Sequence, residues 1–224
     1  MPDSANSKST ETSHSDGEPM GKQEAKSLKT RTAICQATIK CLVAHGYGET
    51  TISRVVQEAK MSNGALLHHF PSKEHLMTAT AEYLLGRTHN RPERKATAGA
   101  DDNTLVASDL LTNWTYFINT PQYRALLEIL IASRTDKKLH DQIENTLHAY
   151  HAQSVNHMMA TYESASGREE DAELLPWMSN IFFRGLLIQD QYSADPDQQR
   201  RMVERWIEMV APLLRIRDAT NDKR

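Results

Sequence analysis

The 224-residue sequence predicts an all-α protein, a small N-terminal group of three helices carried on a larger C-terminal helical bundle. Three observations predict it. Segment after segment places apolar residues at i, i+3, i+4 and i+7, the period of a helix with one buried face. The breaks between segments hold helix caps and stops. Nowhere do apolar and polar residues alternate as in a half-buried strand, and no hairpin signal separates two such runs. Hydrophobic residues make up 39% of the chain, enough for a buried core at this length.

The first predicted helix runs from about Ser27 to His45, with Ile34, Ala37, Cys41, Leu42 and His45 along one side, and Gly46 ends it. Thr50 or Thr51 caps a second helix whose buried face is Ile52, Val55, Val56 and Ala59. Lys60-Met61 makes a tight turn, and Ser62 caps a third helix with Asn63, Gly64 and Ala65 in its first turn. Leu66 and Phe70 face inward there, which leaves Leu67, His68 and His69 sideways or outward. Pro71 stops this helix, because the residue before a proline is biased away from helical geometry. Ser72 then caps a fourth helix that opens with Lys73 and Glu74.

Two short helices across so tight a turn read as a helix-turn-helix. Small residues at the start of the second one let its backbone approach base edges, and the Asn63 amide can pair with a base or a phosphate. His68 and His69 are more simply phosphate or base donors there than catalytic groups. Backbone donors and a lysine at the start of the fourth helix suit a phosphate.

The fourth helix should continue to about Asn90, with Leu76, Ala79, Tyr83 and Leu84 inward, and link this head to the body. Residues 91–99, with Pro92 and Gly99, read as a loop. Asp101, Asp102 and Asn103 supply caps for a helix holding Leu105, Leu110, Leu111, Trp114, Phe117 and Ile118, stopped near Pro121. The next, from Gln122 to about Arg134, holds Tyr123, Leu126, Leu127, Leu130 and Ile131. Asp136 to Glu163 contains no Gly or Pro and should be one long helix.

A further helix around Leu174 to Ile188 is apolar nearly all round, so it must be covered on two sides. The last begins at Asp195-Pro196-Asp197-Gln198, with Asp195 as cap, Pro196 in the first helical position and Gln198 completing a capping box. It carries Met202, Val203, Trp206, Ile207, Met209, Val210, Leu213 and Leu214, and Pro212 should bend or fray its end. These two helices either close a monomeric core or form a four-helix bundle with a second copy. The pattern favours the homodimer, with Trp177, Ile181, Phe182, Ile188, Trp206, Met209 and Val210 at its interface.

Composition sets the class. No run approaches the roughly 18 residues of a membrane helix, so a soluble, cytoplasmic protein is expected. Met1 to Ala25 is rich in Ser, Thr, Asp and Glu without aromatics, which predicts a disordered polar tail and argues against a signal peptide. Lys26 to Arg91 holds nine Lys/Arg against four Glu, a local charge of +5 within a chain of −3, so the rest carries −8. A basic head on an acidic body fits a DNA reader. Cys35 and Cys41, six apart on one helix, are not placed for a disulfide and read as reduced and structural.

Trp114, Phe117, Tyr123 and Met158 come from three helices and would converge on a small-molecule cavity if the bundle leaves one. His148 and His151 share a helix face and could join them as hydrogen-bonding groups. No carboxylate or cysteine completes a ligand set around these histidines, so no metal is expected. Arg184, a charge in the apolar helix, sits at a rim, pairs with Glu173 or Asp190, or awaits an anionic ligand. No Walker loop, dinucleotide fingerprint, zincin motif or serine elbow is present, so neither an enzyme nor a cofactor is expected.

Thr30 to Ala79 resembles the DNA-binding domain of the tetracycline-repressor-like (TetR) family. The matching residues are Gly46, Thr51, Val55, Ser62, Gly64, Leu66, His69, Phe70, Lys73, Glu74 and Leu76. Lys60-Met61 stands where the family usually has Gly-Val, and Leu67 where it has a tyrosine that, by resemblance, touches a phosphate. The resemblance implies a homodimer that reads a palindromic operator in double-stranded DNA and is released by a small-molecule effector. Asn63, Gly64 and Ala65 would touch bases, within a surface that includes Thr51, Arg54, Ser62, Leu67, His68, His69 and Lys73. The expected division is a tail over 1–25, the helix-turn-helix domain over 26–72, a connecting helix over 73–90 and a ligand-binding and dimerisation domain over 91–224. The alternative is a ligand-binding or enzymatic helical bundle that keeps the helix-turn-helix shape without using it.

Overall fold

A computed structural model describes residues 21–88, 99–189, 192, 195 and 197–217. The head comprises α1 (Lys22–Glu49), α2 (Ile52–Ala59), α3 (Asn63–His69) and α4 (Lys73–Thr88). The body comprises α5 (Asp102–Asn113), α6 (Pro121–Ser133), α7 (Lys137–Thr161), α8 (Asp171–Gln189) and α9 (Gln198–Val210). The fold is all-α. A three-residue antiparallel ribbon, β1 (Tyr162–Ser164) against β2 (Leu214–Ile216), is the one strand pairing among the described residues, with Tyr162 opposite Ile216.

The caps fall largely where the sequence places them. Thr51, Ser62, Asp101 and Asp136 each accept a hydrogen bond from the backbone N–H three residues on, which satisfies one orphan donor of the helix it caps. α1 breaks at Gly46, whose φ of +71° favours a residue without a Cβ, and then makes one further turn. A Cβ at Gly46 would also come within 3.0 Å of the Glu128 carboxylate.

Two cores result. Ile34, Cys35, Ala37 and Cys41 of α1 meet Val55 of α2, Leu66 of α3, Phe70 and Leu76, and hold α3 at a fixed angle. Burying a side chain such as Phe70 stabilises by about 1.5–3 kcal/mol. Both thiols are buried and free, and desolvation pushes their pKa values up. His45, expected on the apolar side of α1, is exposed. The second core runs from Leu42 of α1 and Met77 and Ala81 of α4 into Leu110, Leu126, Ile129, Leu139, Ile143 and Phe183. Accordingly α1 packs on α6 and α4 on α7, so the head is joined to the body along two helices.

Several expected boundaries move. Helix begins at Lys22, inside the expected tail, and residues 1–20 lie outside the described residues, as do Arg91, Pro92, Asp190 and Pro196. α7 ends at Thr161, and Tyr162 to Ser164 leave it to pair with β2. α9 begins at Gln198 with Asp197 at the cap position, and the Asp195 carboxylate accepts the Asp197 N–H at 2.9 Å and pairs with Arg201. Pro212 converts the end of α9 into a 3-10 turn, which puts Leu213 and Leu214 outside the helix.

Two of the body helices are irregular. α5 passes into a single π-helical turn, Trp114–Ile118, closed by Asn119 N–H to the Trp114 carbonyl at 2.8 Å. Pro176 lies inside α8, where it has no N–H to give to the preceding turn. None of the described helices is long and apolar enough to cross a membrane.

Candidate functional site

α3 is seated by Leu66 and Phe70 and leaves Asn63, Gly64, Ala65, Leu67 and His68 exposed, with Leu67 at 43%. A Cβ built on Gly64 meets nothing within 4 Å, so packing does not require glycine there. The Thr51 and Ser62 hydroxyls accept from Arg54 N–H and Ala65 N–H at 3.3 and 3.2 Å, serving first as caps. Lys60 makes the turn between α2 and α3 with φ 53° and ψ 48°, a left-handed conformation that glycine adopts without cost. Arg54 pairs with Glu49 at 3.1 Å and Lys40 with Glu58 at 2.9 Å, exposed pairs that a stronger anion can displace at little cost. His69 is half-buried, and its carbonyl accepts from Arg31, whose guanidinium lies 4.4 Å from the Phe70 ring centroid.

Lys73 departs from the expected picture. Its ammonium donates to the Tyr47 carbonyl at 2.7 Å and sits 4.2 Å from the Tyr47 ring centroid, and burial lowers its pKa. The Gly46 break is what turns Tyr47 to this position. Tyr47 N–H donates to Glu128 of α6 at 2.8 Å, and its phenol donates to Asp136 at 2.9 Å. Burial, then Asp136, push the Tyr47 phenol pKa well up. Asp136 is at the same time the cap of α7. Lys73 is thus first a tie within the head, where the sequence predicts a phosphate contact.

In the body, a partly open cavity of about 80 Å³ lies between the π turn, α6, α7 and α8. On that measure a water takes roughly 10–15 Å³, so the space holds a handful of waters or a small organic group. Phe117, Tyr123, Met158 and Arg184 line it, with Tyr150, Ser154, His157, Tyr162, Asn113 and Asn180. Asn113 donates to Asn180 at 2.7 Å, joining α5 to α8, and the Tyr162 hydroxyl donates to Asp109. The Arg184 Nε donates to the Tyr123 hydroxyl, and its guanidinium carbon lies 5.7 Å from the Tyr123 and Trp177 ring centroids.

Three expected cavity residues are placed elsewhere. Trp114 is core, packed against Phe183 at 5.4 Å. His148 is exposed, and His151 sets its ring edge on Trp177 at 4.6 Å. α7 offers the cavity positions 150, 154, 157 and 158, one helical face, and 148 and 151 fall to its sides. Arg184 pairs with neither expected acid: no carboxylate contacts it among the described residues, and Asp190 lies outside them.

The outer face of α8 and α9 exposes Ile181 (54%), Met209 (53%), Ile188, Met178 and Met202, beside a half-buried stack of Phe182 on Trp206 at 4.7 Å. Of the residues expected at an interface, Val210 is buried in its own core (3% exposed), and Trp177 packs toward α7. Met209 and Val210 are neighbours on α9, about 100° apart around its axis, so one is exposed and the other reaches the core.

Residues 34–80 match the family model described as bacterial regulatory proteins, tetR family. That segment is a TetR-family DNA-binding domain. The chain is 24% identical over 189 residues to the HTH-type transcriptional regulator CymR of Pseudomonas putida, covering 84% of this chain and 92% of that one. It is 28% identical over 176 residues to an uncharacterised HTH-type regulator of Mycobacterium bovis, covering 75% and 89%. Among solved structures, a putative transcriptional regulator from Saccharomonospora viridis in complex with choline shares the fold with a TM-score of 0.60 at 17% identity, covering 85% of this chain and all (100%) of that one. A putative TetR-family regulator from Rhodococcus does so at 0.58 and 16%, covering 82% and 99%. With that domain and relatives that are transcriptional regulators over most of their length, the protein is a DNA-binding transcriptional regulator and not an enzyme. The left-handed backbone at Lys60 also explains the glycine that TetR sequences usually carry there.

Proposed function

We propose that the protein is a cytoplasmic homodimeric repressor that holds a palindromic operator through α3 and lets go when a small molecule enters the body. The observation that carries this reading is the span of α7. Its C-terminal half supplies Tyr150, Ser154, His157 and Met158 to the cavity. At its N-terminal end Asp136 holds Tyr47, and farther along Thr146 donates to Glu82 of α4 at 3.1 Å. One rigid element thus reaches from the ligand to both helices that carry α3. A ligand that prefers one setting of α7 shifts the population of head positions by its differential affinity, and by nothing else.

Asn63, Gly64 and Ala65 meet base edges, and Thr51, Arg54, Ser62, His68 and His69 meet phosphates. Leu67 contributes apolar contact only. The α4 N-terminus offers backbone N–H groups while the Lys73 ammonium stays on Tyr47. The apolar face of α8 and α9 supports pairing with a second copy, because exposed patches of this kind mark interfaces. A twofold axis there sets two α3 helices roughly 34–36 Å apart, one DNA turn.

Selecting bound duplexes from a random pool tests the reading. A palindrome with half-sites one turn apart is expected, with retention on DNA that falls steeply with salt. Ile181→Glu with Met209→Glu should give a monomer that loses most operator affinity. A recovered site without twofold symmetry, or a monomer that binds as tightly as wild type, would sink the dimer.

A further inference from the structure

We infer that the effector is a small monocarboxylate with an apolar ring or short chain, its carboxylate held by Arg184 and Tyr123. The inference rests on the reading that the cavity is the effector site. Arg184 is the one permanently charged residue of the lining, and no Asp or Glu faces the same space. Its Nε is taken by the Tyr123 hydroxyl, and no described group accepts from its two Nη atoms. Four N–H donors in a planar fork therefore remain, the geometry that receives a carboxylate in bidentate fashion. A half-buried guanidinium on an apolar helix carries a desolvation cost that a bound anion offsets.

Tyr123 adds to the same seat. Its oxygen accepts from Arg184, so its own proton is free to donate, and burial, which raises its pKa, keeps that proton in place at neutral pH. The guanidinium and this hydroxyl are bonded to each other, and both residues line the cavity. Leu110, Phe117, Ile118 and Met158 supply the rest of the wall, which suits an apolar body. The cavity of about 80 Å³ limits that body to about one ring. A phosphate would bring a second negative charge to a site with one fixed cation. The S. viridis neighbour holds choline, a cation. Arg184 in this cavity repels a quaternary ammonium and so predicts the opposite preference.

Calorimetric titration of the full-length protein with benzoate, phenylacetate and hexanoate, against benzamide and choline, tests this, with operator release followed by fluorescence anisotropy. At least one carboxylate should bind and release the operator, with its amide roughly tenfold weaker or worse. Arg184→Gln should lose roughly tenfold to a hundredfold in carboxylate affinity, Arg184→Lys should recover part, and Tyr123→Phe should lose a smaller factor. The inference is overturned if benzamide binds as well as benzoate, if Arg184→Gln binds carboxylates undiminished, or if no carboxylate binds at millimolar concentration. Release by benzamide or choline alone would leave the effector-responsive reading standing and remove the anion. Carboxylate binding that leaves operator affinity unchanged would keep the anion seat and remove the effector reading.

Discussion

The Tyr47 phenol donates to the Asp136 carboxylate at 2.9 Å, fastening the last turn of the first helix of the head to the cap of the longest helix of the body. The same tyrosine takes Lys73 on its carbonyl and gives its N–H to Glu128. Helices of the two regions therefore meet on one residue. Tyr47→Phe should cost about 1 kcal/mol in denaturant unfolding, since Asp136 keeps its capping bond. It should also shrink the effect of an effector on operator affinity. Lost stability with undiminished coupling would mean that the tie only holds the fold together.

The Asp136 carboxyl is held below its ordinary range, first by the Leu139 N–H and further by the Tyr47 phenol. A carboxyl with a folded pKa below its unfolded value contributes stability that is fully present above the unfolded value, near 4, and is lost as pH falls through the lowered one. Glu74 and Asp101 act in the same direction. Urea midpoints should thus decline below about pH 4, and Asp136→Asn should flatten part of that decline. An unchanged slope in the variant would assign the acid sensitivity to other groups.

Gly64 separates folding from recognition. A methyl at this position has open space around it, and alanine is favoured over glycine in a helix by up to about 1 kcal/mol. Gly64→Ala should therefore raise the melting temperature while weakening operator binding. An alanine variant that binds DNA normally would show that α3 does not approach DNA at this point.

Lys60→Gly should stabilise the head by about 0.5–1 kcal/mol, because it relieves a left-handed non-glycine residue at some cost in chain entropy. Thermal unfolding of the two proteins at equal concentration checks the sign. A loss of operator affinity in the same variant would give the Lys60 charge a role on DNA.

The head was legible because its signals are local and dense: Ser62 before α3, Pro71 after it, Leu66 and Phe70 four apart. Apolar periodicity also located α8 and α9. On α7 the cavity was read only in part: Met158 lies in its lining, whereas Tyr150, Ser154 and His157 belong to a polar and aromatic face that apolar periodicity does not pick out, and the shared face of His148 and His151 pointed elsewhere. The spacing i, i+4, i+7, i+8 was there to be read. The Lys73 tie was not, since it depends on a distant backbone break at Gly46. Nor was the ribbon, whose strands of three residues are too short to show alternation.

Two walls of the cavity contain a flaw in their hydrogen-bond ladder, the π turn after α5 and Pro176 within α8. Where the ladder is already open, a change of side chain can be absorbed by a small slip of the backbone without prising apart the well-packed layers behind it. If the body senses a small molecule as proposed, it can thus drift toward a new chemical signal one substitution at a time, while the tightly capped head keeps reading the same DNA.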